Sequence, residues 1–142
     1  MLKALLLLPL LGALLVAVLP SRRPELIRAA ALVVSAAVLA FAGVLVWHFD
    51  PLLGELQFFE TRPWNPRVGS SFALGIDGIS LPMVVLAALL CFIAILVSAS
   101  MRNGAKLYFG LLLVLEAAML GVFMARDWSL FYVFWELTLI PL

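Results

Sequence analysis

The chain has 142 residues, of which 66% are apolar and 12% are charged, and its formal net charge is +1. A water-soluble domain carries roughly 45–50% apolar and about 25% charged residues, so the composition excludes an ordinary soluble fold. Such high hydrophobicity also excludes intrinsic disorder, and the near-zero net charge leaves no basic stripe for nucleic acid. We predict an integral, multi-pass membrane protein with an all-α fold.

Five apolar stretches follow one another along the chain, and a spanning helix needs about 20 apolar residues. They cover residues 3–19, 26–47, 79–98, 107–125 and 128–142. This pattern predicts a polytopic transmembrane bundle with four complete spans and the start of a fifth. Residues 1–48 would form helices 1 and 2, and residues 79–142 would form helices 3 to 5. Lys3 ahead of a leucine run also fits a secretory signal peptide, but no A-x-A-like cleavage site follows the run.

Small residues recur at helical spacing in the second stretch, where Ala36, Ala40 and Gly43 fall at positions i, i+4 and i+7 beside Ser35. Such a stripe lets helix backbones approach closely in lipid. The alternative is an alanine-rich helix without a packing face of this kind. Either interpretation places this helix in a bundle.

Residues 49–78 form the one sizeable polar segment. Its prolines and glycines predict a turn-rich loop outside the membrane, and Trp47, Phe58, Phe59 and Trp64 around it are typical of an aromatic belt at the lipid headgroups. The short first and third loops carry more Lys and Arg than the opposite side. The positive-inside rule therefore places those two loops in the cytoplasm and residues 49–78 on the periplasmic side.

Two acids, Glu116 and Glu136, lie deep inside apolar stretches. A charged group at mid-bilayer costs about 2.5–3.5 kcal/mol on insertion scales, and such residues usually mark ion or proton paths. Both lie eight or nine residues from the short Arg126-Asp127 turn, about 12–14 Å at 1.5 Å per residue. The two carboxyl groups should therefore lie at a similar depth on antiparallel neighbouring helices. Each is a candidate for proton transfer, or else a neutral acid hydrogen-bonded to a neighbouring helix.

Pro141 distinguishes the two acids. A proline at this position leaves the carbonyl of Leu137 without its helical partner, directly beside Glu136. Broken helices are tolerated in the membrane where other groups or water satisfy the freed backbone, and Thr138 offers a hydroxyl. We therefore predict Pro141 to be a structural helix break and Glu136 to be the stronger candidate for proton transfer.

The third helix begins in the segment Asp77-Gly78-Ile79-Ser80. Ser80 is one candidate for its N-cap, and Asp77 is the other. We expect a capping or loop role for both residues, rather than a chemical one.

Motifs for cofactors and metals are missing from the sequence. It has no GxGxxG, Walker or HExxH motif, and Cys91 is a single cysteine, for which packing is the expected role. We expect no cofactor, no metal site and no redox chemistry in this chain itself.

Several of these segments together resemble a known family. Residues 74–82 (LGIDGISLP), 108–117 (YFGLLLVLEA), 122–127 (VFMARD) and 131–141 (FYVFWELTLIP) are similar to the N-terminal part of NADH-quinone oxidoreductase subunit M. This is the antiporter-like chain 4 of respiratory complex I. The GxDGxS part of the first segment is shared with its sister subunits and with multi-subunit cation/proton antiporters.

The resemblance implies a larger antiporter-like fold of about fourteen transmembrane helices. It implies a proton-translocating subunit of NADH:quinone oxidoreductase, in which the glutamate of the FWEL motif, here Glu136, works with a lysine on a later helix. It also implies other membrane-arm subunits as partners, an energy-coupling membrane such as the bacterial inner membrane, and flavin, iron–sulfur clusters and quinone in other subunits. That lysine lies beyond Leu142, so we expect a fragment that is inactive alone. A cation/proton antiporter subunit and a structural subunit without a proton path are the alternatives.

Overall fold

The protein is a bundle of α-helices with a two-stranded sheet at one end. This computed structural model describes residues 1–65, 69–101 and 103–141. The elements in chain order are α1 (Leu2–Val18), α2 (Pro24–His48), β1 (Gln57–Asn65), β2 (Ser70–Ile76), α3 (Ser80–Val97), a 3₁₀ turn (Ser98–Ser100), α4 (Ala105–Met124) and α5 (Trp128–Leu139). The helices match the predicted apolar stretches to within three residues at each end.

Three of these helices, α2, α3 and α4, are long and apolar enough to cross a membrane. At 1.5 Å per residue, the 17 residues of α1 and the 12 residues of α5 extend about 25 Å and 18 Å, against a hydrocarbon core of about 30 Å. The length and composition of α2, α3 and α4 thus support an integral membrane protein. The count of four complete spans and a partial fifth stays a prediction.

The prediction of an all-α fold with a turn-rich loop over residues 49–78 is wrong in one respect. Part of that segment forms the antiparallel hairpin β1–β2. Pro63 lies within β1, where it pairs with Ser71. Both strands of a two-stranded sheet are edge strands, in which proline is tolerated. Since β2 also buries Leu74 and Ile76 against the bundle, the hairpin forms despite its prolines.

Two separate apolar clusters form the core. The cluster at the hairpin end includes Leu5, Val38, Val84 and Leu120, and the cluster at the opposite end includes Val16, Ile27, Ile95 and Phe109. Every long helix contributes to both clusters. The layer between them is where the polar residues of the bundle interior lie.

The stripe of Ala36, Ala40 and Gly43 does not supply the packing face of α2 within this bundle. Ala40 and Gly43 are exposed, and a Cβ added at Gly43 would meet no atom. The buried face of α2 carries Ile27, Ala31, Ser35, Val38, Ala42 and Leu45.

Candidate functional site: a buried polar layer and a charged junction

A serine and a glutamate meet in the interior of the bundle. Ser35 Oγ of α2 donates a hydrogen bond of 2.9 Å to Glu116 Oε1 of α4, and both side chains are fully buried. The second carboxyl oxygen, Glu116 Oε2, is also buried and has no hydrogen-bond partner among the described residues. The carboxyl group thus has one satisfied and one unsatisfied oxygen in an apolar environment.

The pair lies between the two apolar clusters. On α2, Ser35 separates Ala31 of one cluster from Val38 of the other, and on α4, Glu116 separates Leu113 from Leu120. The buried Cys91 holds the corresponding place on α3, between Ala88 and Ile95. We call Ser35, Cys91 and Glu116 the polar layer. This layer crosses the middle of the three longest helices. Cys91, for which packing is the expected role, therefore lies in the same layer as Glu116.

Glu136 has a different environment. The buried face of α5 carries Leu130 and Phe134, and Glu136 lies two residues past Phe134, about 200° around the helix. Its side chain is accordingly exposed on the surface of the described bundle, with Tyr132 one turn earlier as its polar neighbour. The structure therefore does not bring Glu136 and Glu116 together.

The end of α5 is close to the predicted break. The helix ends at Leu139, two residues before Pro141. Thr138 Oγ1 donates a hydrogen bond of 2.6 Å to the Trp135 carbonyl, so its hydroxyl is used within the helix rather than at the carbonyl of Leu137.

Asp77 and Ser80 form a reciprocal capping arrangement at the start of α3. Asp77 Oδ1 accepts hydrogen bonds from the backbone N–H groups of Ile79 at 3.0 Å and Ser80 at 2.8 Å, and Ser80 Oγ accepts from the Asp77 N–H at 2.9 Å. This is the geometry of a capping box, in which two otherwise free donors are satisfied together. The two alternatives from the sequence are thus parts of one arrangement, in which Asp77 caps the helix.

Arg126 joins this cap to the hairpin. One of its terminal nitrogens lies 2.9 Å from Asp77 Oδ2 and 3.0 Å from Ser80 Oγ, and its Nε donates to the Gly75 carbonyl at 3.3 Å. Its backbone N–H donates to the Ala73 carbonyl at 2.9 Å. The hydrogen bond from the Ser80 N–H holds the pKa of Asp77 below its usual range, and the Ile79 N–H and the positive charge of Arg126 lower it further.

The next residue, Asp127, extends the same junction to α5. Its Oδ1 accepts from the backbone N–H groups of Ser129 and Leu130, which caps α5, and its Oδ2 accepts from the N–H and hydroxyl of Ser71 in β2. These bonds, led by that from the Ser71 N–H, lower the pKa of Asp127. We call Asp77, Ser80, Arg126 and Asp127 the charged junction, since it ties the starts of α3 and α5 to the hairpin.

The roles of Arg126 and Ser35 were not predicted from the sequence. A signal for Arg126 was available, because α3 begins and α4 ends on the same side of the membrane, which places Asp77 and Arg126 at one end of the bundle. For Ser35 the only signal was its position near the middle of an apolar helix. Among the described residues, no group of three or more His, Cys, Asp or Glu side chains could hold a metal ion.

Solved structures with the same arrangement of elements define the class of protein. A chain of respiratory complex I from Thermus thermophilus with bound NADH superposes with a TM-score of 0.79 at 30% identity, over 99% of this chain and 27% of that one. A chain of a membrane-bound sulfane sulfur reductase, an archaeal respiratory membrane complex, gives a TM-score of 0.75 at 26% identity, over 96% of this chain and 21% of that one. The fold is thus one that occurs in chains of respiratory complexes.

Curated proteins narrow this class. The chain is 35% identical over 136 residues to NAD(P)H-quinone oxidoreductase chain 4 of Thermosynechococcus vestitus, which covers 95% of this chain and 26% of that protein. It is 39% identical over 141 residues to chain 4 of Synechococcus sp. (strain JA-3-3Ab), which covers 99% of this chain and 26% of that protein. No family model matches the chain. The chain is therefore a homologue of NAD(P)H-quinone oxidoreductase chain 4, and the predicted resemblance is confirmed.

The matched region is only part of those relatives. The chain spans about a quarter of the length of the curated proteins it matches, and about a quarter of the complex I chain.

Proposed function

We propose that the chain forms part of a proton-translocating membrane subunit of an NADH:quinone oxidoreductase. The observation that carries this proposal is the 35–39% identity, over nearly the whole chain, to proteins named chain 4 of that enzyme. In this proposal residues 2–139 provide four membrane spans and part of a fifth, and the hairpin lies on the periplasmic side of a bacterial inner membrane or an equivalent membrane. Its partners are other membrane-arm subunits, and flavin, iron–sulfur clusters and quinone belong to other subunits.

Glu136 is the proposed central proton carrier, and Glu116 is a second one. Both lie eight residues from the helix ends that flank the turn between α4 and α5, about 12 Å at 1.5 Å per residue. Ionisable groups at such depth are costly and usually belong to ion or proton paths. The two carboxyls face different surroundings, one inside the bundle and one on its surface, which suits successive positions along a path rather than a shared site.

The test is proton pumping by the complete complex. Glu136→Gln removes the ionisable group while keeping its size, so we expect it to abolish most proton pumping while quinone-reductase assembly persists. Glu136→Leu is the matched variant for a structural role, because it also removes hydrogen bonding. Normal pumping by Glu136→Gln, with damage only in Glu136→Leu, would show that the acid merely holds helices together.

A second function rests on the GxDGxS segment over residues 75–80, which also resembles multi-subunit cation/proton antiporters. In this second proposal the chain belongs to a membrane unit that exchanges cations for protons. Sodium-dependent proton exchange in vesicles that carry the complete protein but oxidise no NADH would favour this function over the first.

A further inference from the structure

The two oxygens of the Glu116 carboxyl have different surroundings. Oε1 accepts the hydrogen bond of 2.9 Å from Ser35 Oγ, whereas Oε2 is buried without a hydrogen-bond partner in the parts of the chain that the structure describes. An oxygen that accepts a hydrogen bond is already stabilised, and a second buried carboxylate oxygen without a donor is destabilised. In the neutral acid, the proton therefore belongs on Oε2.

We propose that Ser35 is a positioning residue, which holds Oε1 so that Oε2 is the oxygen that takes up and releases the proton. On uptake the O–H bond at Oε2 forms as one breaks in a water molecule that enters from the rest of the complete subunit, and on release the proton passes back to such a water molecule. The hydrogen bond from Ser35 persists in both states. This inference rests on the proposed role of Glu116 in proton transfer and adds to it the residue that orients the carboxyl.

Ser35 does not need Glu116 to satisfy its own hydroxyl. A serine inside a helix can bond to the carbonyl four residues earlier, and Ser98 does so with the Ala94 carbonyl at 2.7 Å. Ser35 instead reaches a side chain 81 residues away. The carboxyl lies between two apolar clusters, and the bond from Ser35 is its one hydrogen bond among the described residues. Loss of the hydrogen bond from Ser35 would free the Glu116 side chain to adopt other orientations.

The test combines infrared spectroscopy with proton pumping in the complete complex. The carboxyl C=O band of Glu116 is identified as the band lost in Glu116→Gln. In Ser35→Ala, we expect this band to move to higher wavenumber, because Oε1 loses its hydrogen bond, and we expect the pumping rate to fall about tenfold. In Ser35→Thr, which keeps the hydroxyl, both should return towards the wild-type values.

Ser98→Ala is the matched control. It removes a hydroxyl that bonds across the same helix bundle, to Tyr108 of α4 at 2.8 Å, without contacting a carboxyl. We expect it to leave both the Glu116 band and the pumping rate unchanged. Should Ser35→Ala not assemble, Ser35→Cys provides a weaker donor of similar size, for which a smaller shift in the same direction is expected.

The possible failures are distinguishable. An unshifted Glu116 band in Ser35→Ala or Ser35→Cys would overturn the proposal, as would a pumping rate equal to that of the wild type. Normal pumping by Glu116→Gln would instead refute the proton-transfer role of Glu116, and with it the role of Ser35 in that transfer. A change in pumping that Ser98→Ala reproduces would assign the effect to general loosening of the bundle.

Discussion

The close contact between α4 and α5 at Gly121 offers a direct test of the packing. A Cβ at Gly121 would overlap the ring of Phe134, whereas a Cβ at Gly43 of α2 would meet no atom. Gly121→Ala and Gly43→Ala gain the same helix propensity, so their difference isolates the overlap. Forcing an extra methyl group into a packed contact typically costs about 1–3 kcal/mol, which is the difference in stability we expect.

The assay is thermal denaturation of the complete purified protein in detergent, followed as the fraction that remains soluble and monodisperse after heating. Gly121→Ala should denature at a clearly lower temperature than Gly43→Ala, which should match or slightly exceed the wild type. Adding Phe134→Leu to Gly121→Ala should recover part of the loss, because a smaller side chain makes room for the new methyl group. Equal stability of the two alanine variants would refute the close approach of α4 and α5.

Two further predictions concern the charged junction and the membrane orientation. The pKa of Asp77 in the folded protein is below its ordinary value of 3.8. Its contribution to the stability of the fold is therefore complete above pH 3.8 and is lost as the pH falls through the lower pKa of the folded state. Asp77→Asn should therefore lose less thermal stability than the wild type on acidification from about pH 5 to about pH 3, and an equal loss would contradict the junction. For orientation, Gly69→Cys in the hairpin turn and Asn103→Cys before α4 should react with a membrane-impermeant thiol reagent from opposite sides, the first periplasmic, in a protein whose Cys91 is replaced by Ala. Labelling of both from one side would contradict the helix count between them.

The helices could be predicted from the sequence because their signal is local. Apolar runs of suitable length, such as the one that becomes α4, form helices in a membrane whatever their neighbours are, since every backbone polar group must be satisfied within the segment. The capping residues Asp77 and Ser80 were found for the same reason, as their partners lie within three positions of each other.

The hairpin and the polar layer could not be predicted in this way, because both depend on distant contacts. β1 gains its stability by pairing with a strand that lies against the bundle, and this outweighed the turn signal of its prolines. The hydrogen bond between Ser35 and Glu116 joins residues 81 positions apart. Periodicity alone did not decide whether Ala36, Ala40 and Gly43 form a packing face, since small residues at helical spacing fit a lipid-facing stripe equally well.

The exposed position of Glu136 leads to a last prediction. A charged or protonating carboxyl on a membrane helix needs water or a polar partner, because hydrocarbon satisfies neither of its oxygens. If Glu136 lies on a proton path, a small aqueous thiol reagent should reach a cysteine there. In the complete protein with Cys91 replaced by Ala, we therefore expect Glu136→Cys to react faster than Leu86→Cys.

Leu86 of α3 is the suitable control because it is 47% exposed on the described bundle and lies six residues from the start of its helix, whereas Glu136 lies eight residues from the start of α5. Depth alone would make Leu86→Cys the faster of the two. A faster reaction at Glu136 therefore requires water that follows a path into the membrane rather than water that enters from its surface. Equal or slower reaction at Glu136 would place its side chain in lipid or in a dry interface, and the proton path would then have to be sought on the side of Glu116.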